Sequence, residues 1–389
     1  MEFNFSERLQ KLPPYLFVEI DKAKRKAKAE GRDIIDLGIG DPDEPAPKEA
    51  IDALYKAAED SKNHHYPLDQ GSSVFRERVA EWYKDRFGVI LDPEKEILPL
   101  IGSKEGISHM PFAFVNPGDT TLVPDPCYPP YKGGTILAGG TPCIMPLLEE
   151  NNFLPDLNKI DKIALKKAKI IYINYPNNPT SAVCEEGFFQ DVVLFAKKYN
   201  LIVASDAAYS EIAFDGYKPS SFLKVEGAKE TGVEFHSLSK TCNMTGWRIG
   251  FVCGNEKIIA GIAKVKSNVD SGVFNAVQMS GIAALDIAEK HLSRMNKVYE
   301  ERRDALIDGL NKLGWPVKKP KATFYVWARL PKKNKSSIEF AKTVLDRTDI
   351  IVTPGVGFGE NGEGYVRFAL TVSKERIIEA VDRLRKLLG

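Results

Sequence analysis

The stretch from Val233 to Cys253 reads VEFHSLSKTCNMTGWRIGFVC and sets a lysine between two short apolar runs. These runs, Val233 to His236 and Ile249 to Val252, are bounded and largely hydrophobic, which is typical of strands in a buried sheet. Hydroxyl side chains flank Lys240, and Arg248 follows eight residues later. Because ligands bind at the carboxyl ends of strands in open α/β sheets, the stretch predicts a ligand site beside a buried sheet.

Similar apolar runs alternate with helical patterns between residues 47 and 253. The other predicted strands are Glu96 to Ile101, Thr120 to Val123, Ile170 to Ile173 and Leu201 to Ser205. This alternation predicts an α/β fold in which helices cover a mostly parallel sheet. Helical patterns then dominate residues 257–313, and mixed strands and helices follow. We therefore expect a large domain over residues 46–280 and a smaller α+β domain built from residues 1–45 and 281–389.

Length and composition narrow the possible functions. A chain of 389 residues, 43% of them hydrophobic, suits two packed domains. The 54 basic and 53 acidic residues give no electrostatic reason to expect nucleic acid or a membrane as partner. Five scattered cysteines without a C-x-x-C pair indicate free thiols in the cytoplasm, with neither disulfides nor a metal. We find no signal peptide and no apolar run near the ~20 residues that span a bilayer.

Polar side chains follow several of the predicted strands. They are Ser103, Tyr128, Asn178, Asp206, Ser237 and Lys240. Serines and Arg248 together suit a phosphate dianion, because the guanidinium makes charge-assisted bonds and the hydroxyls add neutral donors. The amine of Lys240 could form an imine with an aldehyde on the same ligand. Taken alone, Ser237 to Lys240 is better explained by a polar turn ahead of a buried strand.

The segment around Lys240 resembles the cofactor-binding motif of the class I and II aminotransferases of fold type I. The resemblance implies a seven-stranded, mostly parallel sheet in the large domain and pyridoxal 5′-phosphate (PLP) as cofactor. It also implies that Lys240 anchors the cofactor covalently and later acts as the base that moves the substrate's α-proton. Ser237, Ser239 and Arg248 would bind the cofactor's phosphate.

Two further segments extend the resemblance. Asp206 ends a predicted strand and lies 34 residues before Lys240, a separation usual in this family. Its carboxylate would pair with the pyridinium nitrogen and keep it protonated, so that the ring takes up electrons. Tyr209 and Asn178 would both donate to the cofactor's phenolic oxygen. Considered without the family, Asp206 reads as a helix cap and the segment around Asn178 as turn chemistry.

The remaining predicted cofactor contacts depend mainly on the resemblance to the family. Ser103 and Lys104 open a predicted helix, where backbone N–H groups favour anions, and they resemble a second phosphate contact. Tyr128 resembles the aromatic residue that stacks on the pyridine ring, although a core tyrosine explains it equally well. Tyr66 resembles a tyrosine that reaches the cofactor phosphate of the neighbouring protomer, which implies a homodimer.

The substrate contacts point to one branch of the family. Arg367 resembles the clamp on the substrate's α-carboxylate. The chain is most similar to the diaminopimelate branch, which implies LL-diaminopimelate as donor, 2-oxoglutarate as acceptor and a role in lysine biosynthesis. Asp69 stands where that branch is expected to have Glu for the distal amine. The full set of expected substrate contacts is Tyr15, Gly40, Lys104, Asn178, Asn275, Arg367 and Asp69.

Several other functions compete with this interpretation. Aspartate, alanine or aromatic amino acids are alternative donors, and a β-lyase is an alternative reaction on the same fold. A non-catalytic PLP-sensing module of a transcription regulator is the rival from another class, but the segment ahead of the large domain shows no helix-turn-helix pattern. A nicotinamide enzyme is disfavoured because no G-x-G-x-x-G follows a predicted strand.

Overall fold

The computed structural model describes residues 1, 3–13, 16–67, 70–331 and 336–388. Its helices are α1 (Glu7–Gln10), α2 (Leu16–Ala29), α3 (Lys48–Glu59), α4 (Ser73–Phe87), α5 (Ser103–Phe114), α6 (Pro130–Leu137), α7 (Lys162–Leu165), α8 (Glu186–Tyr199), α9 (Ala228–Thr231), α10 (Leu238–Thr241), α11 (Glu256–Lys266), α12 (Asn275–Asp286), α13 (Ala288–Lys312), α14 (Ser337–Thr348) and α15 (Lys374–Leu388). Its strands are β1 (Ile35–Asp36), β2 (Ile97–Leu100), β3 (Thr120–Asp125), β4 (Thr141–Pro146), β5 (Ala168–Asn174), β6 (Ile202–Asp206), β7 (Gly232–Ser237), β8 (Gly250–Gly254), β9 (Tyr325–Arg329), β10 (Ile350–Ile351), β11 (Thr353–Pro354) and β12 (Tyr365–Ala369).

The central sheet has seven strands in the order β2-β8-β7-β6-β5-β3-β4. The strands from β7 to β4 pair in parallel, and β8 runs antiparallel to both of its neighbours. The predicted α/β fold with a mostly parallel seven-stranded sheet is therefore confirmed. Every strand predicted for this sheet is present. The edge strand β4 was not predicted, because it is partly exposed and lacks a continuous apolar run.

The two faces of the sheet build two separate apolar cores. In β5, Ile171 and Ile173 pack on one face with Val203, while Ile170 and Tyr172 pack on the other. This alternation follows from the two-residue period of a strand. Because helices cover both faces of the sheet, a ligand is expected at its carboxyl edge.

A third core lies in the smaller unit of the molecule. The antiparallel sheet β11-β12-β9 packs against α13, α14 and α15, with Trp315 fully buried among them. The N-terminal segment joins this core, because β1 pairs in parallel with β10 and Leu37 is buried. This arrangement supports the predicted division of the chain into residues 46–280 and residues 1–45 with 281–389, which stays a prediction. We call the smaller unit the small domain.

One acid lies deep in the central sheet. Glu234 in β7 is 1% exposed, and it accepts hydrogen bonds from the hydroxyls of Ser221 at 2.6 Å and Tyr83 at 2.7 Å. Burial raises the pKa of Glu234, but hydrogen bonds from His236, Ser221 and Tyr83 outweigh it, so the pKa lies below its usual value. The ionised carboxylate of Glu234 therefore links β7 to α4, and hydrogen bonds from the protein stabilise its charge.

None of the helices in the described part of the chain combines the length and apolar character needed to cross a bilayer.

The loop before β12 contains a close contact between two glycines. A Cβ atom on Gly355 would lie 1.9 Å from the carbonyl oxygen of Gly362, so no larger residue fits without moving the backbone. The short turn that begins at Gly355 carries Phe358 into the neighbourhood of β12. The contact therefore fixes the path of this loop.

We expect Gly355→Ala to destabilise the protein by about 1–3 kcal/mol, because the added methyl group overpacks this contact. Gly187→Ala is the matched control: Gly187 lies in α8, and an added Cβ meets nothing within 4 Å. The control should stabilise by about 0.4–1 kcal/mol through reduced entropy of the unfolded chain. Chemical denaturation of both variants measures the difference, and equal stabilities would show that the contact between the two glycines does not constrain the loop.

Candidate active site

A cavity of about 390 Å³ opens at the carboxyl edge of the central sheet, where the small domain covers it. Loops that follow β2, β3, β5, β6 and β7 line one side, and β9 and β12 contribute the other. The structure brings most of the predicted site residues together here. They are Gly40, Ser103, Lys104, Tyr128, Asn178, Asp206, Tyr209, Ser237, Ser239, Lys240, Arg248 and Arg367.

Lys240 lies in α10, directly after the end of β7. Its Nζ donates to the carbonyl oxygen of Gly40 at 2.8 Å, which links the lysine to the N-terminal segment. The pKa of Lys240 is lowered to about 8, mainly by burial and also by the nearby charges of Arg367 and Arg248, against the opposing charge of Asp41. The amine is therefore partly neutral near neutral pH, as a nucleophile or base must be.

Asp206 ends β6 at the floor of the cavity and is 5% exposed. Its Oδ2 accepts a hydrogen bond from the hydroxyl of Tyr131 at 2.7 Å, and its Oδ1 accepts one from the backbone N–H of Ala208 at 3.2 Å. Burial raises the pKa of Asp206 because a carboxylate loses solvation there. A buried acid at the end of a strand suits a ligand that brings a cationic N–H group.

Arg248 and Gly102 form one end of the cavity. Arg248 has a left-handed backbone with φ of 56°, a conformation that residues other than glycine adopt mainly at functional sites. Its Nη2 lies 2.3 Å from the position that a Cβ on Gly102 would take, so only glycine leaves room for the guanidinium. Ser103 begins α5 directly after Gly102, and the buried Ser237 and Ser239 line the same cavity. These are the donors that a phosphate requires.

Tyr209 contacts Tyr325, which the sequence analysis did not identify as a site residue. Its hydroxyl lies 2.9 Å from the hydroxyl of Tyr325 in β9, and both side chains are buried. Tyr209 was predicted to donate to the cofactor's phenolic oxygen, and its place in the cavity is compatible with that role. Tyr325 was missed because an aromatic residue in a strand is indistinguishable by pattern from a core residue.

Arg367 in β12 is 2% exposed and faces the cavity. Its Nη1 donates to Oδ1 of Asn178 at 2.7 Å, and its Nη2 donates to the carbonyl oxygen of Gly38 at 2.8 Å. Its guanidinium carbon lies 4.0 Å from the ring centroid of Tyr325 and 4.6 Å from that of Phe358. A guanidinium removed from water in this way binds a carboxylate strongly. Phe358 was also missed by the sequence analysis.

Two predicted residues that the structure describes lie outside this group, and two others fall on residues that it does not describe. Tyr66 is 85% exposed, and Asn275 begins α12 beside Gln278, so neither lines the cavity in the described part of this chain. Tyr15 and Asp69 lie outside the described residues. The roles predicted for these four residues stay predictions.

Comparison with known proteins identifies the family. Residues 32–384 match the family model described as aminotransferase class I and II. The chain is a class I and II aminotransferase. It is 53% identical to LL-diaminopimelate aminotransferase from Halothermothrix orenii, over 98% of this chain and 97% of that protein. It is 54% identical to the enzyme of the same name from Aquifex aeolicus, over 99% of each chain.

Solved structures give the same result for the fold. The aminotransferase superimposes on the apo form of BacF from Bacillus subtilis with a TM-score of 0.96. The sequences are 39% identical, and the match covers 100% of both chains. The predicted fold type I architecture is thereby confirmed over the full chain.

Aminotransferases of this family depend on PLP, and the cavity fits that cofactor. The guanidinium of Arg248, packed against Gly102, suits a phosphate, Asp206 suits a protonated ring nitrogen, and Lys240 lines the same cavity. When bound, PLP supplies an aldehyde for a lysine amine and a ring that takes up electrons as the substrate's proton leaves. Arg367 lies on the small-domain side of the cavity, where its guanidinium suits a carboxylate.

The lowered pKa of Lys240 gives the aminotransferase a testable pH dependence. Only the neutral amine attacks an aldehyde, so capture of PLP by the cofactor-free enzyme should speed up about tenfold per pH unit below pH 8 and level off above it. Stopped-flow absorbance between pH 6 and pH 10 measures this rate. Capture by butylamine, an amine of ordinary pKa, is the control for changes in the cofactor itself. A midpoint near the ordinary lysine value of 10.5 would contradict the assignment.

Proposed function

We propose that this aminotransferase transfers the amino group of LL-diaminopimelate to 2-oxoglutarate in lysine biosynthesis. The observation that carries the proposal is the 53–54% identity to LL-diaminopimelate aminotransferases over nearly the whole of both chains. Similarity over only part of the chain would support the type of reaction but not the substrate. Here the similarity extends over all the residues expected to contact the substrate. Aspartate, alanine or aromatic specificity is the alternative.

In this proposal each cavity residue has a distinct task. Lys240 would hold the cofactor through its amine, and the same amine would serve as the base that moves the substrate's α-proton. Asp206 keeps the ring nitrogen protonated. Arg367 and Asn178 bind the α-carboxylate, and their hydrogen bond at 2.7 Å places the two groups side by side. Such pre-positioning lowers the entropic cost of reaching the reactive geometry.

The two cavity arginines bear on the choice of substrate. Among the described residues that line the cavity, the guanidinium groups are those of Arg248 and Arg367. Arg248 lies at the phosphate end, so one guanidinium is left for the substrate's α-carboxylate. The far end of the substrate must then be bound by other groups, and Lys104 with Asp69 offers a cation and an anion. That combination suits the zwitterionic far end of diaminopimelate better than a second plain carboxylate.

We also propose a homodimer in which the hydroxyl of Tyr66 reaches the phosphate end of the partner's cavity. Support comes from the exposure of Tyr66 together with exposed apolar side chains on the same part of the chain, such as Tyr55 and Val74. We place the enzyme in the cytoplasm, where its five free cysteines stay reduced.

Substrate specificity is tested with purified enzyme and a panel of donors. We expect LL-diaminopimelate to be preferred over aspartate, alanine and phenylalanine with 2-oxoglutarate as acceptor. Asp69→Asn should raise KM for diaminopimelate about tenfold or more, because a charge-assisted bond to the distal ammonium contributes about 1.5–3 kcal/mol. Reaction with glutamate, which has no distal ammonium, is the internal control and should be unchanged. Preference for another donor would refute the specificity but leave the aminotransferase assignment intact.

The shared site is tested by mixing two defective chains. Lys240→Ala removes the anchor, and Tyr66→Phe removes a phosphate contact, so Tyr66→Phe homodimers should bind the cofactor about tenfold more weakly. In a mixed dimer, the site with intact Lys240 receives an intact Tyr66 from the other chain. We therefore expect tight cofactor binding and full activity at that one site. If Tyr66 serves its own chain, the mixed dimer keeps the defect of Tyr66→Phe.

A further inference from the structure

A buried tyrosine contacts the acid beneath the cofactor site. Tyr131 lies in the first turn of α6 and is 0% exposed. Its hydroxyl donates to Oδ2 of Asp206 at 2.7 Å, across 75 residues of sequence. The bond joins α6 to the end of β6, so the carboxylate is held by a second element of the fold.

Aromatic packing fixes the ring of Tyr131. The ring is stacked on that of Tyr172 in β5, with centroids 4.9 Å apart and planes 13° from parallel. The ring of Tyr128 meets it edge-on, with centroids 5.9 Å apart. The hydroxyl of Thr135 donates to the backbone carbonyl of Tyr131 at 2.9 Å, which holds the helical turn. Tyr131 thus contacts both the acid and the aromatic residue predicted to stack on the cofactor.

We propose that Tyr131 is a positioning residue that keeps Asp206 ionised and aimed at the ring nitrogen of the cofactor. The proposal rests on the role proposed above for Asp206. A carboxylate stripped of water favours its neutral form, and a hydrogen bond donated to an oxygen of the ionised form opposes this. With an ionised Asp206, the proton on the ring nitrogen stays where the reaction needs it.

The chemistry of Tyr131 suits a permanent donor. Burial raises the pKa of its phenol well above the ordinary value, and the nearby charge of Asp206 raises it further, so the hydroxyl keeps its proton under working conditions. His236 and Glu234 in β7 also influence Asp206, but their effects on its pKa have opposite signs. The hydroxyl of Tyr131 is therefore the polar side-chain group that favours the ionised carboxylate by direct contact.

The same stack supplies a matched control. Tyr172 is 1% exposed, and its hydroxyl has no hydrogen-bond partner among the described residues. Tyr172→Phe removes the same atom from the same pair of stacked rings as Tyr131→Phe does. The two variants differ only in whether the lost hydroxyl touched Asp206.

The experiment compares four holoenzyme variants: Tyr131→Phe, Tyr172→Phe, Asp206→Asn and the double variant Tyr131→Phe/Asp206→Asn. Two properties are measured, the dissociation constant of PLP and the NMR shift of PLP labelled with ¹⁵N at the ring nitrogen, which reports protonation. Tyr131→Phe should weaken cofactor binding about tenfold or more, the loss expected for a hydrogen bond to a charged group. It should also move the ¹⁵N signal toward that of Asp206→Asn.

The controls separate this inference from the role of Asp206 itself. Tyr172→Phe should stay within about twofold of the parent enzyme, and the double variant should match Asp206→Asn because both changes act through one carboxylate. If Asp206→Asn changes both measurements but Tyr131→Phe behaves like Tyr172→Phe, the inference about Tyr131 is wrong. If Asp206→Asn leaves the ¹⁵N signal unchanged, the role of Asp206 is wrong instead.

A second variant keeps the test decisive if Tyr131→Phe does not fold. Tyr131→p-aminophenylalanine replaces the hydroxyl with an N–H donor at the same para position of the same ring. Its ¹⁵N signal should lie close to that of the parent enzyme. A signal displaced as far as that of Asp206→Asn would overturn the inference, because a donor would then be present without the effect.

Discussion

The buried guanidinium of Arg367 joins the three parts of the chain that build the cavity. It belongs to β12 of the small domain, donates to Asn178 after β5, and donates to the carbonyl of Gly38 in the N-terminal segment. A cation removed from water must have its donors matched by the protein, and the planar guanidinium fixes their directions. The three segments are therefore held in one relative arrangement around the cavity.

This arrangement gives the cavity a defined electrostatic character. Two arginines flank Lys240 and, with burial, lower its pKa, whereas burial raises that of Asp206. The cavity thus presents two guanidinium groups, a lysine amine and a buried acid. A ligand with a phosphate, a carboxylate and one protonated ring nitrogen complements the two guanidinium groups and the acid. Burial destabilises these charges while the cavity holds no ligand. Pairing them with the opposite charges of the cofactor and the substrate therefore contributes to binding.

Much of the fold and site could be predicted because the signals are local in sequence. The strands β5, β6 and β7 are buried on both faces and read as apolar runs, and Lys240 and Asp206 stand directly at strand ends. The aromatic residues around them could not be identified in this way. Tyr131, Tyr325 and other buried aromatic residues have the same pattern whether they fill a core or hold a functional group, so only their contacts distinguish them.

The sequence by itself determined the reaction chemistry: an acid at the end of one strand, an amine after the next and a guanidinium eight residues later, in the order that one family uses. The tertiary structure decided which groups touch. Arg367 meets Asn178 across 189 residues, and Tyr209 meets Tyr325 across 116. No local pattern encodes such pairs, because each depends on how the small domain packs against the sheet. The lowered pKa of Lys240 is likewise a product of burial, which exists only once the domains have closed around the amine.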